Sequence, residues 1–86
     1  GFELEVLAGL SRAVPLLSVE YLPGFPHLTR AVIDRLEALG PYRFDVVVGE
    51  RSGRLWRAWR EPAELRRWLE ALPPDAPSGD LFARLP

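Results

Sequence analysis

The sequence predicts an α/β fold, and three observations carry that reading. Apolar residues recur at helical spacing in three separate stretches, three other stretches have the pattern of strands, and a helix joins the first strand to the second. A strand–helix–strand connection sets its two strands parallel, whereas the short link between the second and third strands makes an antiparallel hairpin. The expected architecture is therefore three strands, one parallel-type crossover plus an antiparallel hairpin, with about three helices in a single partial domain over residues 1–86.

The opening GFELEVLAGL places Leu4, Leu7 and Leu10 at three-residue steps, with Phe2 and Val6 widening the stripe. This predicts an amphipathic helix that ends between Gly9 and Arg12. Neither Met nor a capping Ser, Thr, Asp or Asn stands before Gly1, so the expectation is either that the true start has been removed or that the helix continues an element that lies upstream. PLLSVEYLP, bounded by Pro15 and Pro23, is apolar on both alternating sets, which suits a strand covered on both faces. HLTRAVIDRLEALG sets Leu28, Ala31, Val32, Leu36 and Leu39 on one helical face, and Gly40-Pro41 stops the helix, with a left-handed conformation expected at Gly40.

YRFDVVVGE alternates Tyr42, Phe44, Val46 and Val48 against Arg43, Asp45 and Val47, a strand with one strongly apolar face. GRLWRAWR follows as the return strand of the hairpin, across a connection containing Gly49 and Gly53. PAELRRWLEAL begins with Pro62 in a first turn, aligns Leu65, Trp68, Leu69 and Leu72, and offers an Arg66–Glu70 pair at i, i+4. Residues 73–86 form a turn-rich tail whose Leu81 and Phe82 dock on the body. This is half of a doubly wound layout. The first strand lies at a sheet edge through which the isolated chain is expected to self-associate.

A chain of 86 residues buries only about 60–65% of its unfolded surface, so the core is thin. With 48% hydrophobic and 27% charged residues and a net charge of −1, the composition is globular and exerts no general pull on polyanions. Cysteine is absent, which excludes disulfide and thiolate-metal staples and is compatible with the cytoplasm. No apolar run approaches the ~20 residues that span a bilayer, so no membrane partner is expected.

GFELEVLAGL, followed at a short distance by a strand ending in SVEY, resembles the second half of the FkbM-type S-adenosylmethionine-dependent methyltransferases. In that family a strand ends in a D-x-E-G-x-E-like signature and the helix continues as E-x-x-x-L-x-G. Gly1, Glu3 and the Leu7-Ala8-Gly9 step match the latter part of the signature, and GDLFAR, with Gly79 and Asp80, is similar to the family's closing stretch. The resemblance spans nearly the whole chain. It implies a Rossmann-like class I methyltransferase sheet of seven strands, whose last strand runs antiparallel between the fifth and sixth; this chain would be its C-terminal half, partnered by a missing N-terminal half. It further implies S-adenosylmethionine as cofactor and a small-molecule acceptor, most often a hydroxyl of a sugar or secondary metabolite. The glycine-rich loop that would hold the cofactor is not in this sequence, so the fragment alone is expected to be inactive.

On the resemblance, Gly1 and Glu3 are cofactor-proximal, whereas Glu5 is an ordinary first-turn carboxylate favoured by the helix dipole. Glu20 closes an apolar strand at what would be the substrate-binding carboxyl edge, and an acid there is costly to bury unless it is paired or faces a cleft. His27, the single histidine, starts a helix at the same edge and is the candidate general base for an acceptor hydroxyl. No second His or any Cys completes a metal or nucleophile set. RLWRAWR interleaves Arg54, Arg57 and Arg60 with Trp56 and Trp59, a pattern that can stack bases and hold phosphates or can equally lie on a sheet with the arginine stems over apolar surface. Three function classes follow: methyltransferase, non-catalytic α/β interaction module, and weak single-stranded nucleic-acid binder.

Overall fold

A computed structural model describes residues 14–49 and 53–86. The expected opening helix, with Gly1 and Glu3, lies outside the described residues. The order is β1 (Leu16–Tyr21), α1 (Pro26–Leu39), β2 (Arg43–Val48), α2 (Pro62–Glu70) and β3 (Gly79–Arg84). The fold is α/β, with two helices among the described residues rather than about three, and a three-stranded sheet in the order β1-β3-β2.

β3 pairs antiparallel with both neighbours, Tyr21 and Val48 each opposite Gly79, Leu17 and Phe44 each opposite Ala83. β1 and β2 therefore point the same way, as the helical crossover predicts, yet they do not touch. The strand between them is the last in sequence. Residues 79–84, expected to belong to a turn-rich tail, are thus the centre of the sheet. GDLFAR earns the place by strict alternation: Gly79, Leu81 and Ala83 are buried, while Asp80 and Arg84 are exposed.

The expected hairpin is not formed. GRLWRAWR is no strand; it follows the outer edge of β2 through one antiparallel bridge, Phe44 to Arg60, and a hydrogen bond from the Leu55 N–H to the Val46 carbonyl at 2.7 Å. Arg57 between these points has φ of 57°, which breaks an extended path. The spacing explains the detour, because Trp56 and Trp59 are an odd number of residues apart and an extended strand would aim them at opposite faces. The segment wraps around the edge of β2 instead. Trp56 meets the α2 residue Trp68 edge-on at 5.8 Å, whereas Trp59 lies beneath the guanidinium groups of Arg54 and Arg84, at 4.6 and 5.6 Å from its ring centre.

The core lies between the sheet and the helices and is built from Tyr21, Val32, Ile33, Leu36, Phe44, Val46, Leu65 and Leu81, among others. α1 buries Thr29, Val32, Ile33 and Leu36, a face turned from the expected one toward Thr29 and Ile33. The helix stops at Gly40, but with φ 174° the residue is extended rather than left-handed, so Pro41 is what prevents continuation. α2 buries Leu65 and half-buries Trp68 and Leu69, as its spacing predicts, and Leu72, also half-buried, lies in the turn after it. Arg66 does not pair with Glu70; its guanidinium crosses to α1 and reaches Asp34 at 2.8 Å and Glu37 at 2.5 Å. Two carboxylates on the neighbouring helix outcompete the single one a turn away.

β1 is covered on one face only. Leu17, Val19 and Tyr21 turn inward, whereas Leu16, Ser18 and Glu20 are exposed, Leu16 at 59%. Its outer edge carries no strand among the described residues, in keeping with the expected open edge. The strand is anchored at its start by Tyr42, whose hydroxyl donates to the Val14 carbonyl at 2.6 Å and accepts from the Val14 N–H at 2.9 Å. Tyr42→Phe is expected to cost about 1–2 kcal/mol, since two hydrogen bonds at a buried hydroxyl are lost together. Chemical denaturation reads the loss, and faster hydrogen exchange at the Val14 amide locates it; an unchanged exchange rate there would rule out the anchor.

Candidate functional site

The feature that the fold builds most completely is a cavity of about 240 Å³ at the carboxyl end of β1, between α1 and α2. The chain leaves β1 through Leu22, Pro23 and Gly24, turns with the Phe25 N–H on the Leu22 carbonyl at 2.9 Å, and enters α1 at Pro26. A β-carbon on Gly24 would lie 3.5 Å from the Pro74 carbonyl, so this loop closes against the one that follows α2. Apolar side chains floor the cavity, principally Leu22, Ile33, Leu69 and Leu72. Thr29, Arg30 and Glu70 supply its polar groups.

Thr29 is buried, at 7% exposure, and lines the cavity. Arg30 and Glu70 are exposed and, among the described residues, neither joins an ion pair. Arg66, also on the lining, is by contrast fully engaged with Asp34 and Glu37. An apolar floor with a few convergent polar groups is the usual make-up of a small-molecule site.

The residues expected from the sequence to carry chemistry stand near this cavity without lining it. Glu20 is the penultimate residue of β1 and is exposed on the sheet face away from the helices, directly opposite Asp80 of β3. Its partner is Ser78, whose hydroxyl donates at 3.5 Å. His27 sits in the first turn of α1, exposed, with its ring edge-on to Phe25 at 6.5 Å. The structure brings both to the carboxyl end of β1 but gives them no common partner. Among the described residues there is no group of three or more His, Cys, Asp or Glu placed to hold a metal, and no helix is long and apolar enough to cross a membrane.

Two buried polar groups elsewhere were not visible as such in the sequence. Asp45 is fully buried in β2; its Oδ1 accepts from the Val46 N–H at 2.8 Å and the Trp56 N–H at 3.1 Å, and its Oδ2 lies 3.3 Å from the Arg54 Nε. It fastens the RLWRAWR segment to the sheet. Tyr21 is 1% exposed, meets Trp68 edge-on at 5.6 Å, and its hydroxyl is buried without a partner. Burial, and secondarily the charge of Asp80, raise its ionisation above the ordinary 10.0. Because the folded value exceeds the unfolded one, the stability contributed by the neutral phenol is fully present below pH 10.0 and is lost as pH rises through the folded value. Alkaline unfolding followed by circular dichroism is expected to begin at higher pH for Tyr21→Phe than for the wild type, once each is referenced to its neutral-pH stability. Coincident alkaline limbs would remove Tyr21 as the cause.

Compared with protein-family profiles, curated proteins and solved structures, the chain matches none.

Proposed function

We propose that this chain is the C-terminal part of a Rossmann-like, S-adenosylmethionine-dependent methyltransferase of the FkbM type, acting on a hydroxyl of a sugar or secondary metabolite. The observation that carries the reading is the strand order β1-β3-β2, with the last strand reversed between two strands of common direction. That is the arrangement the sequence resemblance implies for the fifth, seventh and sixth strands of such a sheet. From the sequence the reversed strand is expected at GRLWRAWR; in the structure it is GDLFAR, one of the segments that carries the resemblance.

The described residues do not fit the cofactor by themselves. The sequence has no glycine-rich phosphate-type loop, and a cavity of about 240 Å³ is below the roughly 300–1,000 Å³ of sites for larger ligands. This part of the chain therefore supplies the acceptor side. In that role His27 takes the proton of the acceptor hydroxyl and Glu20 orients the group at the carboxyl edge of β1.

Calorimetric titration of S-adenosylmethionine against the chain joined to its upstream sequence tests the reading. Saturable binding supports it, and absence of heat from a folded protein overturns it. A non-catalytic interaction module is the second reading, favoured by the outer edge of β1, which pairs with no strand among the described residues, and by Leu16 at 59% exposure; it predicts concentration-dependent association without cofactor binding. The nucleic-acid reading loses its stacking platform, because Trp59 is already covered by Arg54 and Arg84 and Trp56 is packed on Trp68. A salt-dependent affinity for single strands that vanished in Trp56→Ala and Trp59→Ala would restore it.

A further inference from the structure

We propose that the cavity between α1 and α2 is a binding site for a free α-amino acid with an apolar side chain. The proposal stands on the cavity alone and does not depend on methyl transfer.

Three observations converge on that ligand. Arg30 and Glu70 carry opposite charges on different helices, both line the same cavity, and neither is neutralised by an ion pair among the described residues. Their neighbour Arg66 finds two carboxylates, so the local surface does not lack means of pairing charge. A single zwitterion satisfies both free charges at once: its carboxylate meets the Arg30 guanidinium and its ammonium meets the Glu70 carboxylate. Ligands with one charge leave the other exposed to repulsion or unpaired desolvation.

Thr29 supplies the second observation. It occupies a position on the buried stripe of α1, with Ile33 and Leu36 one and two turns on, where an aliphatic residue would pack without penalty. It is 7% exposed and lines the cavity. An O–H at that place donates to a ligand carboxylate already drawn in by Arg30. The third is size and lining. A cavity of about 240 Å³ exceeds the ~150 Å³ that accommodates a benzene ring, leaving room for a short charged head beyond a phenyl or branched aliphatic group. Ile33, Leu69 and Leu72 provide the apolar wall for that group.

Calorimetry and amide chemical-shift mapping of the full chain with L-phenylalanine, L-leucine and L-methionine test the proposal. Saturable binding of at least one is expected, with shifts centred on Thr29, Ile33 and Leu69. Arg30→Gln and Glu70→Gln should each weaken it about tenfold, as removal of one charge-assisted hydrogen bond does. Both positions are exposed on helix surfaces, so the variants are expected to fold. 3-Phenylpropionate and phenethylamine, each lacking one charge, should likewise bind roughly tenfold more weakly than phenylalanine. Equal affinity for phenylpropionate would overturn the amino-acid assignment in favour of a simple carboxylate site, and no saturable binding of any of the three amino acids would remove the site. Binding of phenylalanine by a protein that fails to bind S-adenosylmethionine would leave this site standing and sink the methyltransferase reading alone.

Discussion

Gly79→Ala is expected to remove more than half of the protein's folding stability. A β-carbon built on Gly79 falls 2.1 Å from the Val47 carbonyl oxygen and 2.8 Å from the Tyr21 hydroxyl oxygen. The first of these is backbone, on a strand hydrogen-bonded to the same residue's neighbourhood, so relief requires β2 and β3 to part at their paired ends. Overpacking that moves backbone costs about 3 kcal/mol or more, against the ~5 kcal/mol at the low end for small domains. Urea denaturation monitored by tryptophan fluorescence reads the result directly. A midpoint within experimental scatter of the wild type would mean that Gly79 is not closely packed. Glycine is required here by lack of space rather than by an unusual backbone angle.

The second large effect is expected at Asp45. Alanine at this position removes the acceptor of the Val46 and Trp56 amides and the counter-charge of Arg54 in one step. Leaving the Val46 and Trp56 amides unmet costs about 2–4 kcal/mol, and loss of the ion pair adds little because the Arg54 left behind is partly exposed. Asp45→Asn keeps an amide oxygen for the backbone donors and is expected to cost about 1–2 kcal/mol, because Arg54 can still reach solvent. The two variants together separate the roles. A loss in Asp45→Ala that Asp45→Asn largely recovers assigns the effect to backbone acceptance, whereas equal losses assign it to charge. In either case the Trp56 and Trp59 environments should change, visible as a red-shifted emission when the 54–60 segment comes off β2. An unchanged spectrum in a destabilised Asp45→Ala would refute the fastening role.

The helices were legible because each has a single wet face, and periodicity reports that directly. Pro62 opened the second and Gly40-Pro41 ended the first, which starts at Pro26, one residue before the predicted start. The direction of β1 relative to β2 was also legible, since a helical connection leaves little choice. The identity of the third strand was not. RLWRAWR has more β-forming aromatic character than GDLFAR, but its two tryptophans serve opposite sides of the sheet edge, and Asp45 recruits its backbone for a purpose no local pattern encodes. GDLFAR is short and contains small residues, which lowers propensity yet suits the crowded centre of the sheet, where Gly79 and Ala83 are buried. The candidate cavity was hidden for a similar reason. Thr29 interrupts an apolar stripe, the one signal a sequence could have offered, while Arg30 and Glu70 look like any solvated helix residues until the two helices are placed side by side.

The position of β3 has a consequence for how the molecule comes into being. β1 and β2 are made first but share no hydrogen bonds, and every ladder in the sheet waits for the segment translated last among the described residues. Helices can form and collapse early, but the sheet can only close as a final event that spans more than fifty positions of sequence, as the pairing of Leu16 with Arg84 illustrates. Until then two strands present bare edges on either side of a vacant slot, and the nascent chain is most exposed to foreign strands while awaiting its own.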